Sequence, residues 1–187
     1  IMDFSSITFL YFFLPVVLVL YFITPNKFKN YILLIASLFF YFCGEPKYTL
    51  LLIASITINY FYGILIEKHR GAKIAKCAVV SSIIANLLLL VVFKYSNFLI
   101  SNISYIFNID IKFVKIALPI GISFYTFQAM SYVIDVYRGE VKAQKNVFNL
   151  ALYISLFPQL IAGPIVRYKT INNELTHRNH SFDDFAY

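Results

Sequence analysis

Apolar residues in this chain come in long unbroken runs, and the polar stretches between them are short and basic. About 20 apolar residues span a bilayer as a helix, with a working range of about 17 to 25. Ile7 to Ile23 meets that length and predicts a first span; the Pro15 inside it is tolerable within a helix bundle. No Lys or Arg precedes this run and no small-residue cleavage site follows, so it reads as a retained span rather than a cleaved leader. Tyr31 to Cys43 predicts a second span, short enough that it must tilt, thin the bilayer or borrow Phe28 and its neighbours. Tyr48 to Ile66, Cys77 to Phe93 and Phe113 to Ile134 predict three more. Tyr95 to Phe107 is different. Its apolar side chains recur at helical spacing while Ser and Asn occupy the other face, which predicts a helix lying in the interface. Val147 to Val166 is apolar enough to enter the membrane but is interrupted by Pro158, Gly163 and Pro164, which predicts a broken, re-entrant segment. A kinked crossing span is the alternative.

Composition narrows the class. Of 187 residues, 60% are hydrophobic and only 13% charged, against about a quarter charged in a soluble domain. Twenty Phe and fifteen Tyr cannot all be buried in a core of this size. A disordered chain, a disulfide scaffold and a soluble globular domain are excluded, which leaves an all-α polytopic membrane protein. Its net charge of +7 falls in loops between apolar runs, the pattern of a membrane-surface contact and not of a nucleic-acid partner. If the five spans all cross, one side holds Lys27, Lys29, Lys68, Arg70, Lys73, Lys76, Arg138, Lys142 and Lys145, and the other holds Lys47, Lys94, Lys112 and Lys115. The richer side is then cytoplasmic and the N-terminus outside. Arg167, Lys169 and Arg178 join the richer side if Val147–Val166 re-enters. The chain opens on Ile1 and stops at Tyr187 without a closing element, so both ends are expected to be internal to a longer protein.

Two stretches carry candidate chemistry. In Leu118–Gly139, the residues Gly121, Tyr125, Gln128, Tyr132 and Asp135 recur at steps of four and three and share one helix face, with Ser131 and Arg138 on its edge. An amide, several hydroxyls and a carboxylate inside a membrane bundle call for a wet cavity or a polar partner helix. The structural alternative has Gln128 and Ser131 bonding a neighbouring helix and Asp135 paired with Arg138. In Phe157–Arg167, about eleven residues precede Pro158, a helix of some 16 Å, so Gln159 falls near the bilayer midplane at a break. Pro119 and Gly121 in the first stretch, and Pro158, Gly163 and Pro164 in the second, are the structural breaks, and Arg167 closes the second.

The remaining chemistry is thin. His69 lies in a cationic loop and reads as solvated. His177 and His180 are three apart, but no third ligand of suitable type stands near, so no metal site is expected. Cys43 and Cys77 fall at opposite ends of their spans, roughly a bilayer thickness apart, which is too far for a disulfide. The sequence holds no His-Glu-x-x-His, no phosphate-binding glycine loop and no nucleophile elbow.

Leu118–Gly139 and Phe157–Arg167 closely resemble the signature segments of bacterial membrane-bound O-acyltransferases, in the branch of the alginate O-acetylation proteins. Met2-Asp3-Phe4-Ser5-Ser6, Asn30–Ser37, Asn59-Tyr60 with Gly63, and Phe93–Phe98 agree with it, so the resemblance runs the length of the chain. It implies the N-terminal portion of a bundle of roughly eleven helices around a funnel. It also implies an acyl donor on the cytoplasmic side (acetyl-CoA or an acyl-carrier species, with no bound cofactor) and an extracytoplasmic polysaccharide as acceptor. Secreted or anchored acyl-handling proteins are the implied partners, in the bacterial cytoplasmic membrane. The family's embedded histidine is expected beyond Tyr187, so no catalytic residue is assigned here, and this portion alone is expected to be inactive. Tyr125, Gln128, Ser131, Tyr132, Asp135, Arg138, Gln159 and Arg167 are the expected lining of the substrate passage. D-alanyl transfer to teichoic acid, a transporter and a non-enzymatic scaffold are the competing readings.

Overall fold

The computed structural model describes residues 6–107, 117–164 and 166–176, and among them the regular structure is all helical. In chain order the elements are α1 (Leu14–Ile23, entered through a π-helical turn Phe9–Phe13), α2 (Lys29–Gly44), α3 (Pro46–Lys68), α4 (Lys73–Leu90), a π-helical turn (Val91–Tyr95), α5 (Ser96–Phe107), α6 (Ile122–Arg138), α7 (Val147–Ser155), α8 (Phe157–Ala162) and α9 (Tyr168–Thr176). Two helices, Pro46–Lys68 and the continuous run Lys73–Ile106, are long and apolar enough to cross a membrane; Phe9–Ile23 and Lys29–Gly44 are shorter apolar helices. The surface agrees with an apolar solvent. Tyr11, Phe12, Phe22, Ile35, Leu50 and Phe61 point outward, while Ser37, Asn59, Ser82, Asn86, Gln128 and Asp135 are buried. The chain is thus an all-α membrane protein, greasy outside, with a set of polar side chains buried within a largely apolar core.

The structure corrects three expectations. The span Cys77–Phe93 and the interfacial helix Tyr95–Phe107 are one continuous helix. No Gly or Pro stands between Gly71 and the end of α5, so nothing stops propagation; the π-helical turn absorbs the irregularity, and Lys94 reaches over the Tyr95 ring at 5.7 Å. The fifth span, expected from Phe113, becomes helical only at Ile122. Residues 113–116 lie outside the described residues, and 117–121 form a turn in which Pro119 disfavours helix before it and Gly121 adopts φ +73°. The Val147–Val166 segment breaks at Leu156, two residues earlier than Pro158, because the proline takes an early position in α8 where no N–H donor is needed.

Hydrogen bonds sort the loops into two ends of the bundle. At one, Arg70 donates to the carbonyls of Val136 (2.9 Å) and Val141 (3.3 Å), Tyr60 donates to the Lys145 carbonyl (2.7 Å), and Asn30 donates to Asn149 (3.2 Å). At the other, Tyr48 donates to the Ala117 carbonyl (2.9 Å) and packs edge-on against Phe93. The cations around residues 27–29, 68–76 and 138–145 therefore share one end, and Lys47 and Lys94 share the other. This is the grouping read from the sequence; Lys112 and Lys115 lie outside the described residues.

A polar clamp joins α3 to α4. Asn59 and Asn86, both buried, exchange amide hydrogen bonds: Asn59 donates to Asn86 at 3.2 Å and Asn86 to Asn59 at 2.9 Å. Each also donates to a carbonyl one turn back in its own helix, Ser55 and Ser82 respectively. Away from water, removing one amide leaves the other unsatisfied. Asn59→Leu is therefore expected to cost about 1–3 kcal/mol, and Asn59→Leu with Asn86→Leu distinctly less than twice that. Unfolding midpoints of the detergent-solubilised full-length protein check this.

Candidate substrate passage

α6 is fixed at both ends before its face is considered. At its start, the left-handed Gly121 turn abuts α8: a Cβ there would stand 3.0 Å from the Leu160 carbonyl oxygen. Tyr41 of α2 donates to the Ile120 carbonyl at 3.0 Å. At its end, the Glu140 amide donates back to the Asp135 carbonyl at 3.0 Å, and Arg70 binds the Val136 carbonyl, a cation placed where a helix leaves its last acceptors open. The two stretches singled out in the sequence, 118–139 and 157–167, thus meet at Gly121 and Leu160.

The side chains of the sequence-predicted face lie inside, while Gly121 at its start is half-buried. Tyr125, Gln128, Tyr132 and Asp135 are all buried on α6, and Thr126 joins them, a residue the spacing argument missed because it lies off the stripe. Ser131 is half-buried, and Arg138 is exposed. Asp135 does not pair with Arg138; the ion pair among the described residues is Lys169 with Glu140 at 3.4 Å. Tyr132 has a structural assignment. Its hydroxyl accepts the Gln144 amide at 3.0 Å, and its ring presses so closely on α3 that a Cβ at Gly63 would stand 2.5 Å from its oxygen. It also packs edge-on against Tyr168, which packs edge-on against Tyr153. Tyr168 accepts from the Gln144 side chain at 2.8 Å and donates to Asn172 at 2.8 Å; Tyr153 donates to the Val166 carbonyl at 2.8 Å. Burial pushes the Tyr168 phenol above its ordinary pKa, and the bond from Gln144 opposes that shift. This tyrosine cluster pulls the chain after the break back beside the loop that precedes α7. No local pattern announced it, since its three tyrosines come from three separate helices, α6, α7 and α9.

α8 is the second wall. Phe157 is held by a ring nest with Phe9, Phe13 and Phe40 at 5.5–5.8 Å, and its amide donates to Ser37 of α2 at 3.3 Å, so the break is packed at the middle of α2. Gln159 is buried with both amide atoms lacking a hydrogen-bond partner. Gly163 lets the chain fold tightly over it: a Cβ at 163 would stand 2.7 Å from the Gln159 Cα. Pro158, Pro164 and Arg167 are exposed.

Unpartnered buried polar atoms concentrate on these two elements. Six of the nine among the described residues lie here: the Tyr125 hydroxyl, the Thr126 hydroxyl, Gln128 Oε1, Asp135 Oδ2, and Oε1 and Nε2 of Gln159; the other three are the hydroxyls of Ser55, Ser96 and Ser104. Such groups are normally bonded to protein or water, and each costs about 1–3 kcal/mol when desolvated alone. The arrangement can hold water or a polar substrate group along one side of α6 and over α8. Among the described residues it holds no nucleophile–base pair. His69 is half-buried, with Nδ1 at 3.1 Å from the Leu65 carbonyl oxygen, and His177 and His180 lie outside the described residues. Cys43 and Cys77 are free thiols. Among the described residues no cluster of three or more His, Cys, Asp or Glu could ligate a metal.

Comparison with known proteins gives a consistent picture. The chain is 40% identical to a Pseudomonas aeruginosa protein named "Probable alginate O-acetylase AlgI" over 99% of its own length and 36% of that protein's. It is 38% identical to the Azotobacter vinelandii protein of the same name, again over 99% of this chain and 38% of the relative. The chain is a homologue of these O-acetylases. A protein of Helicobacter pylori named peptidoglycan O-acetyltransferase is 32% identical over 96% of this chain and 40% of its own length. The chain spans about two-fifths of the length of the curated relatives it matches. No family profile matches it, and no solved structure matches it.

Proposed function

We propose that this chain forms part of a membrane-bound O-acyltransferase, in which α6 and α8 line a hydrated passage through which an acetyl group reaches hydroxyls of an extracytoplasmic polysaccharide. The observation that carries the reading is the concentration of unpartnered buried polar atoms at Tyr125, Thr126, Gln128, Asp135 and Gln159, beside a helix broken at Leu156. The names of the homologues support acetyl transfer.

In this reading the basic end of the bundle faces the cytoplasm and the acyl donor, by the positive-inside rule. Residues 147–168 enter from that end, turn at the break and return to it, a re-entrant path supported by the contacts of Tyr168 with Tyr132 and Lys169 with Glu140. The general base that takes the acceptor's proton is a histidine outside these 187 residues, as the family resemblance implies. Gln128, Asp135 and Gln159 then hold water and polar groups in register with it, and the apolar packing around Phe157 limits bulk water near the donor. Secreted or anchored partners hand the acyl group onward.

The test separates passage from packing. In the full-length enzyme, Gln128→Leu removes an unpartnered buried amide oxygen, so stability is expected to hold or rise while polysaccharide acetylation falls about tenfold or more; Asp135→Ala is expected to act in the same direction. Acetyl ester content of the polymer and membrane abundance of the enzyme are the readouts. Unchanged acetylation removes these residues from the passage.

A further inference from the structure

A groove of about 260 Å³ runs between α1 and α2 on the outer surface, lined by Phe13, Val17, Leu20, Ile32, Ile35 and Phe39 among others. Its lining on α2 runs from Ile32 to Phe39, seven residues or about 10 Å of rise, roughly two-thirds of one bilayer leaflet. The end at Leu20 and Ile32 opens one helical turn from Lys29. That lysine is 8% exposed, the ammonium lies 4.9 Å over the Tyr21 ring, and it forms no ion pair with a carboxylate among the described residues. Lys27 stands exposed beside it. A buried cation is stabilised by an anion, and a ring face answers its charge only in part. An apolar slot of this reach ending at two cations is complementary to one class of molecule, a lipid with an anionic head and a hydrocarbon tail.

We propose that α1 and α2 form a binding site for an anionic phospholipid, with one acyl chain in the groove and the phosphate between Lys29 and Lys27. The site lies at the basic end of the bundle, where Arg70 and Lys145 also gather, so the lipid belongs to the leaflet on that side. It fastens α1 to α2, and through the nest of Phe9, Phe13 and Phe157 it bears on the break that opens α8.

The test uses the full-length protein, equilibrated in detergent with phosphatidylglycerol or phosphatidylcholine of identical acyl chains and examined by native mass spectrometry. Phosphatidylglycerol adducts are expected to exceed phosphatidylcholine adducts about fivefold, and Lys29→Ala is expected to bring the two level. Lys29→Arg should retain the preference. Lys27→Ala, an exposed change that leaves the fold alone, should reduce it, and Ile35→Trp, which fills the groove from its exposed rim, should remove both lipids. Equal retention of the two lipids by the unmodified protein overturns the proposal. So does a preference indifferent to Lys27→Ala and Ile35→Trp. An Ile35→Cys thiol closed to a membrane-soluble maleimide in lipid-free detergent also overturns it, since polypeptide would then fill the groove.

Discussion

On the proposed function, Gly163→Ala in the full-length protein is expected to lower polysaccharide acetylation by about a hundredfold, far more than it lowers the amount of folded protein. A Cβ at this position stands 2.7 Å from the Gln159 Cα and 3.1 Å from the Gln159 carbonyl oxygen. Both are backbone atoms, so no side chain can swing aside, and α8 or the 163–164 turn must shift. Gly163 has an ordinary extended backbone, φ −87°, which alanine also adopts, so the effect isolates close approach from conformational freedom. Displacements of about 1 Å of a positioning element cost on the order of 10²-fold in rate. Pro164→Ala, at an exposed neighbour, serves as the control and is expected to be near neutral. Acetyl ester content with enzyme abundance measured in parallel decides; parallel loss of both would make Gly163 a folding residue only.

Gly63→Ala is expected to lower stability by about 1–3 kcal/mol, because its Cβ would stand 2.5–2.9 Å from the hydroxyl and ring atoms of Tyr132. Tyr132 is fully buried and bound by the Gln144 amide and the Tyr168 ring, so it cannot rotate away without releasing the loop before α7. Tyr132→Leu alone costs stability by losing those contacts. The double variant Gly63→Ala with Tyr132→Leu is expected to lose clearly less than the sum of the two, since the shorter side chain leaves room for the methyl. Melting midpoints of the four proteins measure the coupling, and strict additivity would remove the contact from the account.

How far the sequence could be read depended on the range of each interaction. Apolar runs are local, so α1 to α4 stand close to where Ile7–Ile23, Tyr31–Cys43, Tyr48–Ile66 and Cys77–Phe93 placed them. The face of α6 was legible for the same reason: Tyr125, Gln128, Tyr132 and Asp135 repeat with the helix period and are all buried. The boundary at Phe93–Tyr95 was misread because Lys94 and the Ser and Asn residues after it lower the hydropathy without interrupting the backbone. The late start of α6 turned on Pro119 and Gly121, two residues noticed as breaks but placed inside the span rather than at its edge. Long-range pairs were not legible. Asn59 and Asn86 are 27 residues apart, and the Tyr132–Tyr168–Tyr153 cluster draws on α6, α9 and α7, so nothing in one dimension pairs them. Asp135 and Arg138 show the converse, neighbours at ion-pair spacing, one buried and one exposed, that form no ion pair.

The claim that the polar interior is hydrated is tested most directly by thiol accessibility in native membranes. With Cys43 and Cys77 replaced by alanine in the intact polypeptide, Gln128→Cys, Gln159→Cys and, as a dry reference, Leu52→Cys would each be exposed to a small water-soluble methanethiosulfonate. Leu52 is wholly buried among apolar side chains. Modification at 128 and 159 with none at 52 is the result the account predicts, and all three remaining equally unreactive would contradict it.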